Sequence, residues 1–264
     1  YRRPIIGWEE DIKNLTLQDL VDFYNSYYSP KNAILIVVGN IDKQEIRKEV
    51  KRIFEVSSKN LTQKEEVIVG LEEFGIGRSE FKTIRKDSKS KAVIVGFRTP
   101  SYRVNPKDVV SLEVLSYILV DGRGARLYRD LVVDKKVASS VSGGIMVGKY
   151  PFLTYFFAVA NPDVNVDKLR DGVVSSIFDI LKSPITEEEI KIAKKKIKAD
   201  KVYDFEKVRG IASSFGWSEV VLGDYRKIDE FMKLVEEITK DDLLNVFNKY
   251  FYYDNMVLGI LDNS

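Results

Sequence analysis

The chain has 264 residues, 44% of them hydrophobic, and carries 42 Lys+Arg against 40 Asp+Glu for a formal net charge of +2. That is apolar material for one large domain or two ordinary ones, and the even charge balance argues against a nucleic-acid groove, a polybasic membrane patch or a disordered chain. There is no Cys and no His, which excludes disulfides, thiolate or imidazole metal ligation, a cysteine nucleophile and a Ser-His-Asp triad within these residues.

The opening Tyr1-Arg2-Arg3-Pro4 lacks an initiator Met and is not expected to be the start of a gene product, and no signal peptide is expected in these residues. The longest apolar runs, such as 152–160, fall short of the ~18 residues of a spanning helix, so no membrane span is expected. The compartment, periplasmic or cytoplasmic, stays unread.

Thr16-Leu17-Gln18-Asp19 carries a capping-box signal for a helix start. Leu20, Phe23, Tyr24, Tyr27 and Tyr28 then fall on one helical face, and the aromatic set is expected in the core against a sheet. Pro30 ends the helix. The apolar run 33–38, closed by Gly39-Asn40, predicts a strand covered on both faces. Residues 43–54 predict an amphipathic helix with Ile46, Val50, Ile53 and Phe54 inward. From about residue 56 periodicity is lost, and 57–78 is expected as a linker.

Beyond it, strands are expected at 81–85 and 92–97, a helix at 109–120, a short helix at 125–133, and strands at 138–147 and 152–160. Helices follow at 166–181, from 187 to beyond 202, at 229–235 and at 241–251, with a closing strand at 256–261. That last unit repeats the first. Residues 15–20 match 238–243 without a gap, and at the same offset of 223 residues Asn25 meets Asn248, Tyr27 meets Tyr250, Asn32 meets Asn255 and Leu35 meets Leu258. We read an internal duplication of an α/β unit. If the repeat is regular and the second copy starts near Ser79, about 140 residues of the first copy are absent from this chain.

Three local motifs are weaker. Asp163-Val164-Asn165-Val166-Asp167 alternates ligand types like a calcium loop, but Lys168 replaces the turn glycine and Val174 the closing glutamate, so a turn with a helix cap is expected. Gly122-Arg123-Gly124 begins like a phosphate loop, but Leu127 stands at the third glycine and the loop joins two helices. Glu187-Glu188-Glu189 after Thr186 fits a capped helix start, and the basic run 194–198 a solvated helix face. A hydrolase built from carboxylates alone, on Asp163, Glu187 or Asp204, has nothing in sequence to pair them.

The ordered set Ile6-Gly7, Leu15-Thr16, Asp19-Leu20, Phe23-Tyr24, Tyr27-Tyr28-Ser29-Pro30, Asn32 and Val37-Val38-Gly39-Asn40 resembles the insulinase/pitrilysin zinc peptidases, which include mitochondrial processing peptidase. Arg126-Leu127-Tyr128, Leu131 and 138–142 resemble the inactive homologous half of that family. The resemblance implies an α/β fold in the form of an α+β sandwich, duplicated into halves that close around a peptide like a clamshell. It assigns residues 1–56 to the end of a first, zinc-bearing half truncated at its N-terminus, and 79–264 to the second, inactive half.

The family's zinc ligands, an H-x-x-E-H motif and a later Glu, lie upstream of the stretch matching Ile6-Gly7. The resemblance therefore implies zinc in the parent protein and neither metal nor catalytic residue in this segment. It places substrate contacts at Arg126, Tyr128, Ser139 and Ser140. The Arg and Tyr by which many relatives hold the transition state fall at Val132 and Ser139, which cannot replace a guanidinium or a phenol. The implied partners are a peptide substrate and, in a homodimer or heterodimer, a homologous subunit bearing the Arg/Tyr pair. Inactive members acting as scaffolds, among them core proteins of respiratory complexes, give the rival function.

Overall fold

The computed structural model describes residues 4–54, 79–84, 87–88 and 90–263. The expected linker at 57–78 and Arg85 of the first expected strand lie outside them. The described residues form two compact units, one of 4–54 with 205–216 and one of 79–204 with 217–263. Residues 205–216, which the sequence reading places in the second half, thus group with the first.

The larger unit is built on one sheet. Strands β1 (Ser79–Ile84), β2 (Ala92–Thr99), β3 (Ala138–Ile145), β4 (Phe152–Ala160) and β5 (Met256–Asp262) lie in the order β1-β5-β2-β4-β3. β1 and β5 run parallel and all other pairs antiparallel. Alternate residues of β4 and β5 are buried, from Thr154 to Ala160 and from Met256 to Asp262, while those between them are half-buried. This is the period of a sheet with one fully covered face.

The helices that pack against the sheet are α4 (Pro106–Val120), α6 (Val166–Asp179) and α10 (Lys240–Tyr250). α4 is apolar nearly all round, as a helix enclosed by neighbours must be. Val95, Phe97, Leu112, Leu115, Phe156, Leu169 and Leu258, each at most 1% exposed, form the centre of the core. Phe97, Phe247 and Phe251 stack through it. Around this layer run α5 (Arg126–Tyr128), continued by a π-helical turn over Arg129–Asp134, α7 (Glu187–Phe205) and α9 (Lys227–Glu237).

The smaller unit holds α1 (Glu9–Asn14), α2 (Leu17–Tyr27) and α3 (Lys43–Phe54), with α8 (Val208–Trp217) from later in the chain. α1 and α8 are elements the sequence reading did not place.

The duplication is visible in backbone and side chains alike. α2 and α10 share their bounds at the offset of 223 residues, and so do the 3₁₀ turns Pro30–Asn32 and Tyr253–Asn255. Each helix opens with a capping box, Thr16 with Asp19 and Thr239 with Asp242. Each repeat closes its turn with an asparagine: the Nδ2 of Asn32 donates to the carbonyl of Tyr27 at 2.9 Å, and that of Asn255 to Tyr250 at 2.7 Å.

Burial separates the copies. Leu243, Val246, Phe247 and Tyr250 on α10 are 0–6% exposed, whereas their equivalents Leu20, Phe23, Tyr24 and Tyr27 on α2 are 41–59% exposed. The expectation that these aromatics fill a core is therefore corrected: they pack on one another, Phe23 with Tyr27 at 4.6 Å and Tyr24 with Tyr28 at 5.1 Å between ring centroids. Ile53 and Phe54, expected inward on α3, are likewise exposed, while Ile46 and Val50 are half-buried. The run 33–38 is corrected too. Its repeat-mate forms β5 between β1 and β2, but 33–38 pairs with no strand among the described residues. A buried strand exists only with a ladder on each side.

Candidate functional site

Arg126 opens α5, just after the turn Gly122–Gly124 that links it to α4, where Gly122 takes a φ of +86°. Its guanidinium turns inward. Nε and Nη2 donate to the two carboxylate oxygens of Glu189 at 2.6 and 2.7 Å. Nη1 donates to the carbonyls of Ile180 and Ser183 at 2.8 and 2.7 Å, and Nη2 also to that of Pro184 at 2.8 Å. All five N–H donors of an arginine are thereby used. Glu189 is at once the acid of a capping box with Thr186, at the start of α7. The Arg126 guanidinium, against the cost of burial and with the help of Thr186, holds its carboxyl down at about 2. Arg126 is thus a clamp that ties the start of α5 to the end of α6 and the start of α7, with no donor left for a peptide.

The other proposed contacts stand apart from that clamp. Tyr128 closes α5 half-buried, and Val132, in the π-helical turn, packs on the core. Among the described residues β3 is an edge strand, paired with β4 alone. Its register shifts between Ala138 and Ser140, leaving Ser139 as an extra residue. Ser139 and Ser140 are exposed there, and the Ser139 hydroxyl lies 3.3 Å from the carbonyls of Val159 and Ala160. Further along β3, a Cβ on Gly143 would stand 2.2 Å from the Tyr155 carbonyl oxygen, so the strand lies too close to β4 for any side chain at that position.

Two polar clusters had no signal in the sequence, because their members come from separate helices. Lys135 Nζ donates to Asp130 Oδ2 at 2.8 Å and to Ser176 Oγ at 2.7 Å. Ser176 Oγ in turn donates to Asp130 Oδ2, so hydroxyl, lysine and carboxylate are tied to one another. On the contact of α4 with α7, Tyr117 donates to Asp200 at 2.6 Å, one turn after Glu113. Burial first, and the Asp200 charge second, push Glu113 up to about 7. Burial and the same acids raise Tyr117.

The calcium-like loop is a turn whose Asn165 side chain caps α6 by accepting from the Asp167 N–H at 2.7 Å. Glu187 and Asp204 sit near opposite ends of α7, about 25 Å apart at the ~1.5 Å rise of a helix, so a shared carboxylate site is excluded. With no His or Cys in the chain, and no three acidic groups converging among the described residues, nothing here fits a catalytic zinc. No helix among the described residues is long and apolar enough to cross a membrane.

Comparison with known proteins gives a consistent set of likenesses. Residues 14–197 match the family described as the peptidase M16 inactive domain. The zinc protease PqqE of Helicobacter pylori is 30% identical over 252 residues, which cover 95% of this chain and 56% of that protein. An uncharacterized zinc protease of Rickettsia bellii is 25% identical, with 94% of this chain and 58% of that protein covered. The chain thus spans little more than half the length of these relatives. The crystal structure of a protease from Helicobacter pylori superposes with a TM-score of 0.85 at 28% identity, over 97% of this chain and 62% of the other. A peptidase M16 inactive domain from Pseudomonas fluorescens gives 0.79 at 17% identity, covering 98% and 60%. A chain of complex III2 from Candida albicans gives 0.75 at 12%, covering 99% and 62%, a likeness of fold alone.

Proposed function

The chain belongs to the peptidase M16 family through its inactive domain, and on that premise we propose that it is the substrate-enclosing portion of a zinc-dependent endopeptidase that cleaves unfolded peptides. Residues 79–263 serve as the catalytically inactive half. Residues 4–54 serve as the closing portion of a first half that carries the zinc ligands elsewhere in the protein. The observation that carries this reading is the contrast between α10 and α2: the same cap, face and turn, buried in one copy and exposed in the other. An apolar face of that size and pattern asks for cover of the kind α4 and β2 give to α10.

Within the inactive half, the exposed serines of β3 and the ring of Tyr128 are the side chains that meet the enclosed peptide, and Arg126 anchors the start of the helix that carries Tyr128. An open edge strand accepts an extended backbone and rejects a folded one. With Val132 and Ser139 where relatives carry Arg and Tyr, a homologous subunit supplies that pair in a dimer. The likeness of fold to a complex III2 chain favours a second reading, a non-catalytic scaffold or partner subunit.

The gene sequence preceding Tyr1 separates the two. H-x-x-E-H with a distal Glu, together with chelator-sensitive cleavage of an unfolded peptide by the full-length protein and its partner, supports the peptidase. A broken motif establishes the scaffold instead. Full activity of a lone full-length monomer would overturn the need for a partner's Arg/Tyr pair.

A further inference from the structure

α7 and α9 border a surface groove of about 350 Å³ in the larger unit. Its base is the buried Ile190, and its walls are lysine stems from successive turns of α7. Two of those lysines are committed to the fold. Lys194 donates to the main-chain carbonyl of Glu236 at 2.6 Å, at the C-terminal end of α9, where free carbonyls need a donor. Lys198 pairs with the Glu236 carboxylate. The other two, Lys191 and Lys195, are exposed and have no acid partner among the described residues. Against the four ammonium groups the groove sets the carboxylates of Glu187 and Glu236, so it keeps a positive excess beside an apolar floor.

The spacing of the free pair selects a ligand. One helical turn separates Lys191 from Lys195, a rise of about 6 Å along α7. In an extended peptide, side chains at alternate positions lie on one side about 6.6 Å apart. An acidic residue at every second position therefore brings successive carboxylates opposite Lys191 and Lys195. Lysine's compact ammonium suits such single-point contacts better than planar bidentate ones. We propose that the α7–α9 groove is a binding site for an extended acidic peptide segment with carboxylates at alternate positions. None of its lining residues belongs to β3 or α5, and it does not depend on whether the full protein cleaves peptides.

The test is fluorescence anisotropy with the full 264-residue chain at low salt. The probes are a labelled peptide alternating Glu with Ala, its Gln-for-Glu counterpart, inorganic phosphate as competitor, and a single-stranded oligonucleotide. The Glu peptide should bind and the Gln peptide should not, with affinity falling as salt is raised. K191E/K195E should weaken binding about tenfold or more, and K191Q/K195Q by less, with circular dichroism unchanged in both. Equal binding of the Gln peptide, no loss in K191E/K195E, or binding of the oligonucleotide in place of the peptide would each overturn the proposal. Displacement of the peptide by millimolar phosphate would overturn the requirement for alternate carboxylates.

Discussion

Arg126 and Glu113 show how one side chain can set the conditions under which the fold holds. Replacing Arg126 by Ala strands Glu189 and three backbone carbonyls, and should cost about 2–4 kcal/mol in a denaturant titration. Arg126→Lys should recover little of it, since an ammonium cannot span a carboxylate and three carbonyls at once. Glu189 in the native state sits at about 2, below its ordinary value of 4.5, so its share of stability is present above pH 4.5 and is lost as the pH falls toward 2. Glu113 works in the opposite sense. Its native value of about 7 lies above the ordinary 4.5, so the protonated form is favoured in the fold. That contribution is complete below pH 4.5 and is lost as the pH rises through 7. Unfolding midpoints measured from pH 5 to 8.5 should therefore fall, and Glu113→Gln should flatten the decline, gaining about 1–3 kcal/mol at pH 8.

The two copies of the capped helix provide a comparison at the level of the element. Phe247→Ala removes a ring from a closed core and should cost about 3–4 kcal/mol, while Tyr24→Ala at the equivalent place should stay within about 0.5 kcal/mol in this chain. Should residues preceding Tyr1 cover α2, the same Tyr24→Ala in the full-length protein should become as costly as Phe247→Ala; an unchanged small value would count against a first half closed over α2. Thr239→Ala should cost about 1 kcal/mol through the lost cap.

These elements also mark how far sequence could be read. Periodicity and capping located α2, α3, α4, α6, α10 and β2 to β5 within a few residues, because their signals are local. The pairing of 33–38 and the burial of the α2 aromatics were misjudged, because an apolar pattern states what a segment needs and not whether a neighbour supplies it. Arg126 was legible as a special residue but not as a clamp: its acceptors lie 54–63 positions further along the chain. Glu113, Tyr117 and Asp200 gave no motif at all.

At the scale of the whole molecule, the two units should differ in stability. The core-facing residues of α4, α10 and β2 are buried, whereas α2 and α3 have no buried residue. Amide hydrogen exchange should therefore be slowest in α4, β2 and α10 and faster by orders of magnitude in α2 and α3, since local opening follows the apolar contacts that hold an element. Equal protection across the two units would contradict the division.

The place of β5 has a consequence for biosynthesis. The fifth strand in chain order, Met256–Asp262, is inserted between β1 and β2, so the sheet has a gap between those two strands until residue 262 has been added. Until then, among the described strands, β1 has no neighbour and the edge of β2 that faces β5 stays unpaired. Contacts between segments more than 170 residues apart must then form last and together, a topology that folds slowly. A nascent chain stalled before residue 256 would present two unpaired edges to chaperones and proteases, and only the addition of β5 would seal them.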